Sequence, residues 1–484
     1  MTLHRLTVLL LAVALMTAAC GGSPASSEDS PPAEPDAGTW ETWVLEDASE
    51  IAVPPPPEEG SPAAEADLAD LQALTADRDE EAREAIERWD AEPAVGPWME
   101  FALDFVAHRT KDPVAASRSY ALVAVAMHDA AAAAWHHKYA YDRPGPEDVE
   151  ALVAAEPDPS YPSGHAAIAG AASTVLAYAF PEQPALRLER HAEEAARSRV
   201  AAGVSFPSDV DAGLQLGRAV GELVLERAQA DVVTDADVAE REGAANWEEL
   251  RPEGELLWRQ PPGSVQVPVS PMAGSWDTWV LESGDQFRPG PFPDVHSEQF
   301  RAEAQEVYDA SQNLTEEQRR VAKFWEGGEG TALPPGIWNE VALAFLGQRD
   351  LSLPRAARAM ALLNVAMDDA GVAAWDAKYA YWGPRPDTAI HDLGIDPDWE
   401  PYLNTPIFPG YVSGHGAYSG AAEMVMSHLF PDHAELYRER AEEASISRMY
   451  GGIHMRSDNE VGLDMGRKVG ALVVEHAQQE GIEG

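Results

Sequence analysis

Ala166-Ala167-Ile168-Ala169-Gly170-Ala171-Ala172-Ser173-Thr174-Val175-Leu176-Ala177-Tyr178-Ala179-Phe180 runs for fifteen residues without a charge. A bilayer-spanning helix needs roughly 20 apolar residues, so this run is too short to cross a membrane. It reads as a helix buried inside a bundle. Ser163-Gly164-His165 stands directly before it, and Ser413-Gly414-His415 opens a second predicted helix, His415 to Phe430, stopped by Pro431.

The recurrence extends outward from these two runs. Trp40-Glu41-Thr42-Trp43-Val44-Leu45-Glu46 returns as Trp276-Asp277-Thr278-Trp279-Val280-Leu281-Glu282. Leu74-Thr75 pairs with Leu314-Thr315, and Ala126-Met127-His128-Asp129-Ala130 with Ala366-Met367-Asp368-Asp369-Ala370. Lys138-Tyr139-Ala140-Tyr141 matches Lys378-Tyr379-Ala380-Tyr381, and Ser198-Arg199 matches Ser447-Arg448. Chance similarity does not keep its order over six blocks, so the chain is two copies of one unit. The expected divisions are a leader at 1–19, an acidic tether at 20–38, a first copy at 39–260, a Pro-rich linker at 261–272 and a second copy at 273–484.

Each copy reads as helical. Pro354 suits a first helical turn, and Ala, Leu and Met recur at helical spacing from Arg355 to Tyr381. Gly383-Pro384 closes that segment, and Glu435 to Met449 and Glu460 to Gln479 complete the second copy. Neither a long alternating Val/Ile/Thr run nor an Asn-Gly hairpin marks a strand. The fold class is therefore all-α, two tandem related helical bundles.

The 82 Asp and Glu against 34 Lys and Arg give a net charge of −48. So acidic a surface repels nucleic acid and anionic membrane faces. The single cysteine, Cys20, excludes an internal disulfide. It follows His4 and Arg5, the apolar run Leu6 to Met16, and Thr17-Ala18-Ala19. That order resembles a bacterial lipoprotein leader, which implies export and a lipid anchor at Cys20. The Ser-, Pro- and Gly-rich stretch after it reads as a flexible tether.

Three clusters in the second copy carry chemistry: Lys378 with Arg385-Pro386, then Ser413-Gly414-His415, then Ser447-Arg448 with His454 and Asp458. Together, in this order, they resemble the signature of the vanadium haloperoxidase and type 2 phosphatidic acid phosphatase superfamily, and the resemblance covers both copies. It implies a tetrahedral oxyanion, vanadate or phosphate. Lys378, Arg385 and Arg448 would neutralise it, guanidinium forks suiting such an anion. Ser413 would add a hydroxyl and Gly414 a backbone N–H. His454 would be the vanadate ligand or phosphate-accepting nucleophile, with Asp458, one turn later if helix continues there, fixing its tautomer. His415 would be the general acid/base. Trp375 and Phe408 stand where the chloroperoxidase-like branch of the family lines the halide side. Val412 replaces that branch's usual proline, which is expected only to loosen the turn.

The first copy departs from the pattern. Lys138 and Arg143 lie two residues closer together than Lys378 and Arg385, and Ser205 stands where His454 stands, while Asp209 is kept. On a helix two residues turn a side chain by roughly 200°, so Lys138 and Arg143 are expected not to face a common point. This copy is read as scaffold without an anion, with a residual anion-binding site as the alternative. Three functions remain open for the second: a vanadate-dependent haloperoxidase acting on halide, hydrogen peroxide and an organic acceptor; a metal-free phosphatase working through a phosphohistidine on a phosphate ester; and a non-catalytic oxyanion-binding lipoprotein. The last leaves His454 and Asp458 without a purpose.

Overall fold

The computed structural model describes residues 33–90, 94–230, 247–260, 267–349 and 351–479. The leader, Cys20 and most of the expected tether lie outside the described residues. Every regular element among the described residues is helical. The first copy carries α1 (Pro62–Ala76), α2 (Glu80–Trp89), α3 (Gly96–Arg109), α4 (Pro113–Tyr141), α5 (Gly164–Ala179), α6 (Ala185–Ala202) and α7 (Pro207–Ala230). The second repeats the order with α8 (Glu298–Gln312), α9 (Glu316–Phe324), α10 (Leu333–Leu346), α11 (Leu353–Tyr381), α12 (Pro386–Asp392), α13 (Gly414–Leu429), α14 (Ala434–Tyr450) and α15 (Arg456–Gln479). Helix α12 has no counterpart in the first copy. It fills an interval, Lys378 to Ser413, that is ten residues longer than Lys138 to Ser163.

The sequence signals for helix ends act as physical caps. Ser163 and Ser413 N-cap α5 and α13, each hydroxyl accepting the backbone N–H three residues on. Thr315 and Gln318 form a reciprocal capping box on α9. Helix α11 opens with Pro354 in its first turn and ends before Trp382, whose φ is +52°.

Small residues let the central helices approach closely. Gly462, Gly466 and Gly470 recur one turn apart on α15 and face α13. A Cβ added at Gly466 would stand 2.0 Å from the Ala417 carbonyl oxygen, and one at Gly217 of α7 would stand 1.9 Å from that of Ala167. Two of the repeated sequence blocks meet each other. The buried Asp129 carboxylate accepts the Trp43 and Val44 N–H groups at 2.9 and 2.8 Å. Asp369 accepts those of Trp279, Val280 and Leu281 at 2.8, 2.8 and 2.9 Å.

The chain divides into two compact units that do not follow the copies strictly. One comprises Met1–Phe105, Ser119–Ala228 and Asn339–Ala361, and the other Val106–Arg118, Gln229–Trp338 and Leu362–Gly484. Some expectations need correcting. Residues at the end of the expected tether are packed: Ala37 is buried, and the Glu34 carboxylate pairs with Arg355 and accepts from Ser352. In the Pro-rich linker, the Val269 N–H donates to the Ile407 carbonyl at 3.0 Å. The last helix starts at Arg456 rather than Glu460. The Tyr411–Val412 peptide is cis, as is Tyr161–Pro162, so Val412 keeps the first copy's cis form at this turn.

Candidate active site

The site of the second copy is built from element ends. Lys378 lies in the last turn of α11, Arg385 N-caps α12, Ser413 N-caps α13, and Arg448 lies in the last turn of α14. His454 sits in the turn before α15, and Asp458 in that helix's first turn. The expected continuous helix between His454 and Asp458 is absent, yet the two meet: His454 Nδ1–H donates to Asp458 Oδ2 at 3.1 Å. Asp458 Oδ2 also accepts the Met455 N–H at 3.1 Å, and the Asp458 carbonyl accepts the Ser413 N–H at 2.9 Å.

Three cations are buried here, Lys378, Arg385 and Arg448 being at most 1% exposed. Lys378 Nζ donates to the carbonyls of Pro409, Gly410 and Val412 at 2.9, 3.0 and 2.5 Å. Its three hydrogens are thereby committed, and its role is to hold the 409–412 turn while supplying charge. Arg385 Nε donates to the Phe408 carbonyl at 3.0 Å, and its Nη1 to the Ile453 carbonyl at 2.7 Å and to His454 Nε2 at 3.0 Å. Arg448 Nε donates to Ser447 Oγ at 2.9 Å and Nη2 to the Ala322 carbonyl at 2.8 Å. Arg385 Nη2 and Arg448 Nη1 are buried without a partner. Unpaired buried donors are costly, and an anion within their reach removes that cost.

The electrostatics agree. Burial lowers Arg385 to about 10 and Arg448 to about 9, so both stay charged at neutral pH. Burial, then Arg385 beside it, pushes Lys378 well below its usual value, with Asp458 pulling it back. Burial raises Asp458 to about 7 against the pull of the Met455 N–H, Arg385 and Lys378. Burial and the surrounding cations push His454 well below the ordinary imidazole range. His454 is therefore neutral, with its proton on Nδ1 and its lone pair on Nε2. His415 is also held well below the usual range, by burial first and then by Arg448. Its Nε2–H donates to the Trp325 carbonyl at 2.8 Å, which leaves Nδ1 as the free base. An anion would oppose the downward shifts of the basic groups.

A cavity of about 320 Å³ opens over this cluster, and its lining includes Trp375, Phe408, Gly414, His415, Arg448 and His454. The Trp375 and Phe408 rings pack with centroids 5.1 Å apart, and Lys378 Nζ lies 5.1 Å from the Phe408 ring. The structure thus gathers every residue singled out in the second copy, with Lys378, Arg385, Ser413 and Asp458 off the cavity lining. Sequence reasoning missed several others. Val269 lines the cavity, and its carbonyl accepts Trp375 Nε1–H at 3.1 Å and the Tyr379 hydroxyl at 2.6 Å. Lys111 and Pro113, encoded in the first copy, line it as well. The Ala322 and Trp325 carbonyls act through backbone and leave no side-chain signal.

The first copy places its counterparts differently. Lys138, Arg143, Ser163, His165, Arg199 and Ser205 line one cavity of about 700 Å³. Lys138 and Arg143 both line this space, but their charged ends go to different partners, Lys138 Nζ to the Pro159 carbonyl and Glu156, and Arg143 to Asp209 and Asp67. What differs is their pairing. Arg143 is held by Asp209 at 2.7 Å and Asp67 at 2.8 Å, and Arg199 by Asp90 at 2.7 Å. At the position of Phe408 stands Asp158, which accepts the Tyr139 hydroxyl at 2.5 Å and the Glu34 N–H at 3.1 Å.

Comparison with known proteins shows the class to which this helical repeat, with its buried cations around a capped helix N-terminus, belongs. Residues 358–438 and 432–481 match the model of the vanadium chloroperoxidase second helical-bundle domain, and residues 118–231 match that of the PAP2 superfamily. The vanadium chloroperoxidase of Curvularia inaequalis is 31% identical over 123 residues, a match that spans 20% of each chain. The structure of a bacterial vanadium-dependent iodoperoxidase superposes with a TM-score of 0.63 at 25% identity, covering 79% of this chain and 95% of that one. A holo-type bacterial vanadium-dependent chloroperoxidase shares the fold, with a TM-score of 0.54 at 15% identity over 76% of this chain and 93% of that one. The chain belongs to the vanadium haloperoxidase and PAP2 superfamily.

Proposed function

We propose that the second copy is a vanadate-dependent haloperoxidase, oxidising halide with hydrogen peroxide to hypohalous acid that halogenates an organic acceptor. The observation that carries the reading is the aromatic wall. Trp375 and Phe408 stand against the cation cluster and give a halide an apolar face beside positive charge. The likeness to the iodoperoxidase structure supports it.

The residues fit vanadate. Arg385 Nη2 and Arg448 Nη1 lack partners, and the neutral His454 Nε2, whose lone pair accepts from Arg385 Nη1 at 3.0 Å here, would be released to the ion once that guanidinium turned to it. These groups, with the Gly414 N–H at the start of α13, would hold the ion, and Lys378 would add charge from behind its turn. Bound vanadate supplies a Lewis acid that polarises peroxide without changing oxidation state. The chain supplies the rest. Asp458 keeps the His454 proton on Nδ1, and Arg385 orients Nε2. His415, neutral and anchored through Nε2–H, accepts a peroxide proton at Nδ1 and returns it to the departing oxygen. The overall reaction, halide plus hydrogen peroxide plus a proton to hypohalous acid plus water, needs such a carrier.

Vanadate copies phosphate in shape and charge, so the cation cluster also suits a phosphatase that forms a phosphohistidine at His454. The chain's membership of a superfamily named in part for phosphatases keeps that reading open, although the PAP2 model itself matches residues 118–231 of the first copy. A single experiment separates them: purified protein, with and without added vanadate, is assayed for peroxide-dependent halogenation and for aryl phosphate hydrolysis. Vanadate-dependent halogenation supports the proposal. Hydrolysis that vanadate inhibits overturns it in favour of the phosphatase, and neither activity points to a binding protein. We also propose, from the leader-like sequence, that Cys20 carries a lipid and that the protein is exported to the cell envelope. Mass spectrometry of the N-terminal peptide tests this, and an unmodified Cys20 overturns it.

A further inference from the structure

The cavity of the first copy is lined by counterparts of the second copy's cluster and by a carboxylate of its own. Glu156 lies in the loop before α5, on the lining of that cavity with Lys138, His165 and Arg199. One carboxylate oxygen stands 3.1 Å from His165 Nδ1 and the other 3.5 Å from Lys138 Nζ. Lys138 and Arg199 are 1% and 3% exposed, and Arg199 Nη2 is buried without a partner. Ser163 caps α5 as Ser413 caps α13, so the backbone N–H groups at the start of the helix are presented in the same way. In the second copy the position of Glu156 is occupied by Pro406, which carries no charge.

We propose that the first copy contains a latent tetrahedral-oxyanion site, and that the Glu156 carboxylate is its built-in occupant. Two oxygens of a carboxylate take the place that two oxygens of phosphate or vanadate would take. The occupant is covalently attached, so its effective concentration is that of a short tether, in the millimolar range, and a free anion must outcompete it. Despite the cost of burial, Lys138 and His165 hold Glu156 down to about 2, so it is charged at neutral pH. The first copy is silent because the place is filled, and loss of the second histidine is not the only reason.

The inference rests on the oxyanion reading of the second copy, and the test keeps the two apart. Inorganic phosphate binding to the full chain is measured by equilibrium dialysis for the wild type, Glu156→Gln and His454→Ala. The wild type is expected to bind one phosphate per chain, and Glu156→Gln to bind a second in the millimolar range. Glu156→Gln should also gain more in melting temperature than the wild type when phosphate rises from 1 to about 50 mM. A stoichiometry of one in Glu156→Gln, with an unchanged melting response, overturns the proposal. A wild type that binds none, while Glu156→Gln binds one, retains it and removes the oxyanion reading of the second copy. Glu156→Asp, shorter by one methylene, should show intermediate phosphate binding; if Glu156→Gln does not fold, a Glu156→Asp chain that binds no more than wild type overturns the proposal.

Discussion

At the scale of single residues, the pairing of each charge decides what a copy can do. Arg385 and Arg448 each keep one guanidinium nitrogen free, whereas Arg143 is matched to two carboxylates. Replacing His454 with Ala should abolish turnover and weaken vanadate binding, both read from the same titration. Asp458→Asn keeps the shape but removes the negative charge and leaves one acceptor oxygen, so the His454 proton is no longer fixed on Nδ1 by a carboxylate. Partners of this kind typically contribute 10–100-fold in affinity or activity, and a loss in that range is expected here, with the melting temperature as control. Phe408→Ala should reduce peroxide-dependent halogenation more than it reduces vanadate binding. A parallel fall would mean that the ring is only packing. Activity should vanish as pH falls through the depressed pKa values of His415 and His454, because protonation removes both lone pairs.

At the scale of helices, close approach is the controlling constraint. Gly466→Ala would drive a Cβ into the Ala417 carbonyl and push α13 from α15, drawing Ser413 away from Asp458, whose carbonyl accepts its N–H. Overpacking of this kind costs about 1–3 kcal/mol, measurable as a shift in the urea midpoint. Gly290, with open space around its would-be Cβ, serves as the neutral control. The helices were legible because the apolar period and the Ser and Pro boundary residues are local. The cation and histidine cluster was legible because its spacing is fixed by chemistry. The start of α15 at Arg456 was not, because Asp458 already sits in the first turn while His454 remains outside it. Glu156 gave no signal, since one more carboxylate in a chain with 82 acidic residues attracts no notice. The Ala322 and Trp325 carbonyls that hold Arg448 and His415 belong to backbone, whose direction only the fold decides.

At the scale of the whole molecule, charge and burial set the response to solvent. With a net charge of −48, self-repulsion opposes the compact state, so raising salt from 50 mM to 1 M should raise the melting temperature. Acid acts through buried neutral imidazoles. His128 is lowered from 6.5 to about 4, chiefly by burial. Its folded value lies below its unfolded one, so the stability it contributes is present above about pH 6.5 and is lost as pH falls toward 4. His128→Gln should therefore flatten the fall in the urea midpoint between pH 6.5 and 4.5. The division of the chain bears on how it can be taken apart genetically. A gene fragment encoding only residues 267–484 omits Lys111 and Pro113 from the cavity wall, Asp112 from its bond to Ser270, and Ser117 from its 3.2 Å bond to Asp368. That fragment should be insoluble when expressed alone. Co-expression with a fragment ending at residue 260 should recover soluble material, as in split-protein complementation. Loss of either half of the duplicated gene should therefore cost the other its fold.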